Sequence, residues 1–529
     1  MKKEENKANK KTASTVAKCF YFGVATLFGV LAVAVCAAVI WADAKYGIIS
    51  MDEVIFNLTM PMKGANSGLV VSAILSIGLP SLLAGGLIVY ISWLIGSKNA
   101  KSARLAFKKK FNIKRNKFTR YLKCHFMSTC AILLILSIVF ADLSLQIHQF
   151  VTHQMQDSHF IEDNYVNSTD VNIKFPKKKR NLVYIFLESM ESSCMSKADG
   201  GFFDEDHIPE LTKLAKKNTN FSNKETLGGA TQISGTSWTI ASMISQTSGL
   251  PLKISADGNA FTDSTEVMEP VTTIGDILEK EGYNQMLMVG SDSTFGGRKQ
   301  YFEGHGNYEV FDLYTAKEEG KIPDDYAVFW GFEDLKLFEY AKEKITDLSK
   351  QDKPFNFTML TVDTHHPSGY LCEECEEKFD DTYSNVYSCS SRQVYKFVKW
   401  MQKQSFYKDT TIVLVGDHLS MAANYYKDLG DYQRTVFNTI INPAVKVKDK
   451  SIYKNRTFSV IDMFPTTLAA MGVKIKGNRL GLGTNLFSGK PTLLEQTYPN
   501  FGQDENEDTV TFVNREFSKN SKFYTSLLK

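Results

Sequence analysis

The sequence predicts an α/β domain, with a mostly parallel sheet flanked by helices, preceded by a three-helix transmembrane region. Three observations carry this. Long apolar stretches occur three times in the first 141 residues and nowhere later. Beyond residue 180, near-continuous apolar runs alternate with helical patterns, the order expected of a parallel sheet covered on both faces. Four of those runs stop on acids, hydroxyls or imidazoles, at the strand ends where such sheets hold ligands. A length of 529 residues fits two or three folding units.

The first apolar stretch, Ala17 to Ala42, carries a single charge, Lys18, at its edge. About 20 apolar residues cross a bilayer core. Gly68 to Gly96 has no charge, and Leu122 to Ala141 is shorter, with Lys123 and His125 near its start. The first stretch follows a basic leader but is too long for a signal-peptide core, and two more follow it, so an uncleaved anchor is expected. Between the last two, Ser97 to Tyr121 holds ten Lys or Arg and no acid, whereas Asp43 to Ser67 mixes both signs. Basic short loops stay in the cytoplasm. The amino terminus is therefore expected inside, and everything after about residue 142 extracellular or periplasmic. Overall charge is nearly balanced, 61 basic against 58 acidic residues. The membrane accounts for the basic loop, and no nucleic-acid motif accompanies it.

Residues 142–180 read as a polar juxtamembrane linker ending in KFPKKKR, 181–490 as the catalytic domain, and 491–529 as a carboxyl-terminal extension. Strands are expected at Asn181 to Ser189, Asn284 to Asp292, Phe355 to Pro367 and Thr411 to Val415. Helices are expected at Ile208 to Asn218, Thr273 to Gly282 and Arg392 to Gln404. Cys194, Cys372, Cys375 and Cys389 fall in the exported part, where disulfides form; four cysteines allow three pairings, which stay open. Cys372, Cys375 and Cys389 also have the spacing of a zinc knuckle, although Glu373 and Glu374 between them suit a surface loop better.

The strand ends offer Glu188, Ser291 with Asp292, Asp363 with His365 and His366, and Asp417 with His418. Glu188, Asp417 and His418 together supply two hard oxygen ligands and an imidazole, suited to Mn²⁺, Mg²⁺ or Zn²⁺. A nucleophile is sought in Leu227 to Leu252, crowded with small and hydroxyl residues, where Gly235-Thr236-Ser237-Trp238-Thr239 precedes an apolar helical run. A hydroxyl at a helix start meets free N–H groups and the positive end of the dipole.

The stretches LES (Leu187 to Ser189), GTSWT (Gly235 to Thr239), SDSTFGGR (Ser291 to Arg298), DTHHP (Asp363 to Pro367) and GDH (Gly416 to His418) resemble the alkaline phosphatase and sulfatase superfamily. More narrowly, they resemble lipoteichoic acid synthases and the membrane phosphoglycerol transferases that decorate periplasmic glucans. The resemblance covers roughly residues 160 to 490 and implies a sulfatase-like fold. It makes Thr236 the nucleophile and a metal ligand beside Glu188, Asp417 and His418, with manganese as the usual metal. Arg298 and His365, with His366 beside it, match positions that hold the phosphoglycerol group. Family synthases often have five spans, and three are counted here. The C-x-P-x-R arrangement of sulfate-ester hydrolases is missing around Thr236.

The implied activity moves glycerophosphate from phosphatidylglycerol through a covalent Thr236 intermediate to a surface glycan or teichoic-type polymer, releasing diacylglycerol. Phosphoethanolamine transfer and plain hydrolysis are the alternatives within the superfamily. A silent sensor or scaffold would predict a lost metal or nucleophile position, and all are present.

Overall fold

The computed structural model describes residues 2–47, 51–59, 67–96, 117–253, 267–422, 424–496 and 507–527. The chain divides into two compact units, one made of Met1–Ile49 with Asn66–Gln149, the other of Ser50–Ala65 with Phe150–Lys529.

The first unit is helical: Lys2–Tyr46, then Ser67–Ala73 running through a π turn, Ile74–Gly78, into Leu79–Gly96, then Lys117–Leu145. Within these, Cys19–Tyr46, Val70–Leu94 and His125–Leu145 are long and apolar enough to cross a membrane, matching the three expected spans. Tyr21 and Trp41 bridge helices by hydrogen bonds, to the Met127 amide at 3.1 Å and the Ser72 hydroxyl at 3.2 Å. Most of the basic segment Ser97 to Tyr121, which sets the expected orientation, lies outside the described residues.

In the second unit the described strands are β1 (Ile173–Lys174), β2 (Asn181–Leu187), β3 (Gly229–Ala230), β4 (Asn284–Val289), β5 (Glu309–Phe311), β6 (Phe355–Leu360), β7 (Thr410–Gly416), β8 (Val436–Ile441), β9 (Lys474–Ile475), β10 (Arg479–Leu480) and β11 (Gly483–Thr484). Seven of them form one sheet in the order β3-β8-β7-β2-β6-β4-β5. The run from β7 to β5 is parallel, while β8 and β3 add an antiparallel edge. All four strands expected from sequence lie in the parallel run. Side chains alternate across it: Tyr184 and Phe186 enter one core with Val413 and Val415, while Val183, Ile185 and Leu187 enter the other with Ile412 and Leu414. Because both faces are buried, these strands read as unbroken apolar runs. Each large side chain so buried contributes about 2 kcal/mol. The register aligns Leu187 with Gly416, so Glu188 and Asp417 emerge side by side at the carboxyl edge.

Three expected helices also form. Pro209–Lys217 starts on proline, Ile274–Lys280 on a Thr273/Asp276 capping box, and Thr382–Met401, capped by Asp381, contains the expected Arg392 region.

From about residue 160 the juxtamembrane segment packs against the rest of its unit. Phe160–Asn164 is a short helix whose Phe160 ring lies 5.6 Å from Phe512 and 5.8 Å from Phe517, and β1 pairs with β9. In the basic run, Lys178 pairs with Asp409 and Lys179 with Glu281, while Arg180 bonds the Thr410 and Asn442 carbonyls at the start of the sheet. The carboxyl-terminal helices Thr509–Ser518 and Lys522–Leu527 likewise bury Phe512, Val513, Phe517 and Tyr524 in the common core. In these segments the apolar residues are few and widely spaced, so no period stands out against the charged background.

Of the open cysteine pairings, the structure contains Cys375–Cys389, a disulfide that ties the loop following His365 to the Thr382–Met401 helix. Cys194 and Cys372 are free and buried.

Candidate active site

The turn after β7 explains GDH. A Cβ on Gly416 would sit 2.1 Å from the Met190 carbonyl oxygen, so only glycine lets β7 run this close to the neighbouring chain. Asp417 follows, buried. Its Oδ1 accepts the Ser189 amide at 2.7 Å and the His418 amide at 2.8 Å. Its Oδ2, also buried, has no hydrogen-bond partner among the described residues.

Glu188, at the end of β2, is held by its amide bond to Thr361 Oγ1 (2.9 Å), and its Oε1 accepts the Ser189 hydroxyl at 2.8 Å. His418 bonds the Leu419 carbonyl through Nδ1 at 2.8 Å, so that nitrogen carries the proton and Nε2 presents a lone pair. Nε2 lies 3.4 Å from Asp417 Oδ2 and 3.7 Å from Glu188 Oε1. One ligand atom from each of Glu188, Asp417 and His418 lies within 4.8 Å of the others, all from buried side chains.

Burial, and then the charge of Asp417, pushes the Glu188 carboxyl well above its ordinary range. Two buried carboxylates and an imidazole lone pair converging on one point, with one oxygen left unbonded, form a donor set that fits a divalent cation.

Among the described residues the Thr236 hydroxyl makes no hydrogen bond to this cluster. It donates to the Ile233 carbonyl at 2.7 Å and accepts the Ile233 amide at 3.1 Å, closing a buried turn. Gly235 opens that turn at φ +77°, where a Cβ would meet the Leu252 carbonyl oxygen at 2.6 Å. The hydroxyl facing the cluster belongs to Thr239, first residue of the helix Thr239–Ser248. Thr239 Oγ1 lies 3.5 Å from Glu188 Oε2 and 3.4 Å from His418 Nε2. The helix is docked by the same face: Ser242 donates to the Asp417 carbonyl, and Gln246 Nε2 donates to that of Gly416 at 3.1 Å. Thr239, Ser242 and Gln246 share one side of a helix by their spacing of three and four. That polar stripe within an apolar run is a signal in the sequence consistent with Thr239, but it does not by itself separate Thr239 from Thr236 and Ser237.

Arg298 opens the helix Arg298–Gly304 after two glycines with positive φ. It is buried, donating to the Phe295 carbonyl (3.0 Å), the Asp292 carbonyl (2.7 Å) and Ser291 Oγ (3.1 Å). Burial pulls its guanidinium down to about 10, and the carboxylates of Glu188, Asp292, Asp312 and Asp417 counter the fall. The guanidinium is thus fixed within the field of the acid cluster.

His365 bonds the His366 carbonyl through Nδ1 at 2.8 Å, and its ring packs 4.6 Å from Trp330 and 4.8 Å from His366. Burial holds its imidazole down at about 4, against the pull of the His366 carbonyl and with help from the positive charge of Arg298. It is neutral at neutral pH, with Nε2 as an acceptor. His366 is buried beneath it.

The sulfatase family model matches residues 180–473. Phosphoglycerol transferase I of Salmonella choleraesuis is 32% identical over 376 residues, covering 69% of this chain and 46% of that protein. The chain thus spans about half the length of this relative. Among solved structures, an alkaline phosphatase superfamily protein from Vibrio parahaemolyticus is 22% identical, with a TM-score of 0.48, over 63% of this chain and 76% of that one. The lipooligosaccharide phosphoethanolamine transferase A of Neisseria meningitidis is 15% identical, also with a TM-score of 0.48, over 85% of this chain and 84% of that one. With the family match running over more than half of its residues and enclosing the acid cluster, the chain belongs to the sulfatase family.

Proposed function

We propose that the protein is a membrane-anchored, metal-dependent phosphoglycerol transferase with Thr239 as nucleophile. The observation that carries this is the Thr239 hydroxyl at a helix start, 3.4 to 3.5 Å from the His418 and Glu188 ligand atoms. The likeness to phosphoglycerol transferase I supports the headgroup. Phosphatidylglycerol is the donor, and a hydroxyl on a surface glycan or teichoic-type polymer is the acceptor. The second unit works on the extracellular or periplasmic side, and its anchor keeps it near lipid headgroups.

Glu188, Asp417, His418 and the Thr239 oxygen would hold the metal, manganese first, with magnesium or zinc as alternatives. A divalent cation held by these residues would supply charge neutralisation for the phosphoryl group and a lowered pKa for the threonine hydroxyl. Thr239 Oγ bonds to phosphorus as the bond to the diacylglycerol oxygen breaks, and the hydroxyl proton passes to that leaving oxygen. The free N–H groups at the start of the Thr239–Ser248 helix face the phosphoryl oxygens. Arg298, with Nε and Nη2 held by the backbone and Ser291, adds its Nη1 donors and its charge to the same oxygens. His365 Nε2 accepts a hydrogen bond from a glycerol hydroxyl. In the second half the acceptor oxygen bonds to phosphorus, the bond to Thr239 Oγ breaks, and the acceptor proton passes to the threonine oxygen.

The test uses the full chain in detergent with Mn²⁺ and fluorescent phosphatidylglycerol, scoring diacylglycerol. Metal-dependent release that EDTA abolishes is expected. Cleavage of phosphatidylethanolamine alone would overturn the headgroup and favour phosphoethanolamine transfer; glycerophosphate released only to water would make the protein a hydrolase.

Arg298→Lys checks the clamp. Lysine keeps one charge but loses the planar fork now fixed by three hydrogen bonds. Donor cleavage is expected to fall roughly 10- to 100-fold, with the thermal midpoint also lowered by the backbone carbonyls left unpaired.

A further inference from the structure

The helix Met51–Thr59 lies in sequence between the first two apolar helices yet belongs to the second unit. It meets the turns that carry Thr239 and Arg298. The Phe56 ring lies 5.5 Å from that of Trp238, the residue preceding Thr239. A Cβ on Gly296 would come within 3.7 Å of Phe56 Cζ, so the same ring rests on the turn two residues before Arg298. One residue earlier than Trp238, the Ser237 hydroxyl donates to Glu53 Oε2 across 3.5 Å. Glu53 and Phe56 are only 3% and 4% exposed. The charge of Asp52 is felt at Lys253 and Tyr524, beyond the other end of the same nucleophile segment.

These are contacts at separate points with different chemistry, an aromatic wedge and a hydrogen bond. Both fall on the short backbone stretch that aims the Thr239 hydroxyl, and the wedge also touches the one that aims Arg298. We propose that this inter-span helix is a wall of the active site, in which Phe56 and Glu53 are positioning residues for Thr239 and Arg298. The role rests on the assignment of Thr239 and Arg298 made above; the contact does not. Burial pushes the Glu53 carboxyl up to about 8, against the Ser237 hydroxyl bond, and glutamine keeps both its shape and its acceptor oxygen.

Displacement of a reacting group by about 1 Å costs roughly a hundredfold in rate. In the full chain, Glu53→Ala is therefore expected to lower kcat for diacylglycerol release about tenfold, and Phe56→Leu by a similar factor. KM for phosphatidylglycerol and the Mn²⁺ requirement should stay unchanged. Glu53→Gln should recover the wild-type kcat within about twofold, because the acceptor for Ser237 is kept. A second readout needs no turnover. Hydrogen exchange of the full chain in detergent should speed up at residues 235–240 and 295–299 in Glu53→Ala and Phe56→Leu, with β2, β6 and β7 as protected as in wild type.

Wild-type kcat and wild-type exchange in both variants would overturn the proposal, as would faster exchange spread evenly over the sheet. A wild-type chain that releases no diacylglycerol would remove the transferase reading but not this contact, which the exchange pattern then decides alone.

Discussion

Thr239→Ala is expected to abolish diacylglycerol release, by about a thousandfold or more, while Thr236→Ala, three residues away in the same motif, retains it. The two hydroxyls differ in what they touch. Thr239 Oγ1 is half-buried and, among the described residues, makes long contacts, at 3.4 and 3.5 Å, to His418 and Glu188. Its removal leaves no backbone group unpaired, so the fold should lose less than about 1 kcal/mol. Thr236 Oγ1 is buried and binds both polar groups of Ile233. Its removal strands the Ile233 amide, for about 1 to 3 kcal/mol of stability, with the chemistry left in place. Turnover and thermal midpoint measured on both variants therefore move in opposite patterns. Loss of turnover in Thr236→Ala at an unchanged midpoint, with Thr239→Ala active, would return the nucleophile to Thr236. Thr239→Ser keeps a hydroxyl at the helix start and should keep measurable release.

The same pair marks where the sequence is legible and where it is not. Strand ends are readable because a buried parallel strand is a long apolar run, and a polar residue at its end has one meaning in such a sheet. Glu188, Asp417 and His418 were expected at one edge, and the register Leu187 to Gly416 brings them together. The nucleophile segment has no such boundary. Thr236, Ser237 and Thr239 all precede the helical run, and choosing among them requires the first helical residue. That depends on Trp238 being extended, at φ −139° and ψ 160°, which its neighbours do not announce.

Long-range closure is the other illegible part. Nothing in Phe160 or Ile161 foretells that residues more than 300 positions later will cover them, and nothing in Asp43 to Ser67 foretells that Phe56 will lie on Trp238. Short helices with one or two apolar anchors carry no period, because their partner supplies most of the buried face.

Asp417→Asn separates the metal from the fold. The amide oxygen can still accept the Ser189 and His418 amides, now at 2.7 and 2.8 Å, so the turn after β7 should survive. What is lost is the anionic Oδ2 facing His418 Nε2. Turnover is expected to fall about a thousandfold or more, with the protein folded. Stability gives an independent readout. In the metal-free wild type the Glu188 carboxyl is raised above its ordinary 4.5, first by burial and then by Asp417. A raised carboxyl contributes stability that is complete below its unfolded value and lost as pH rises, so the metal-free midpoint should decline from about pH 5 upward. The Asp417→Asn substitution removes the smaller cause and leaves burial, making that decline shallower. Saturating Mn²⁺ should lift the wild-type midpoint, by the equivalent of about 2.7 kcal/mol at a hundredfold excess over Kd, and should scarcely move Asp417→Asn. An equal Mn²⁺ shift in the two proteins would place the cation elsewhere, because a site that keeps its affinity without the Asp417 charge is not built from Glu188, Asp417 and His418.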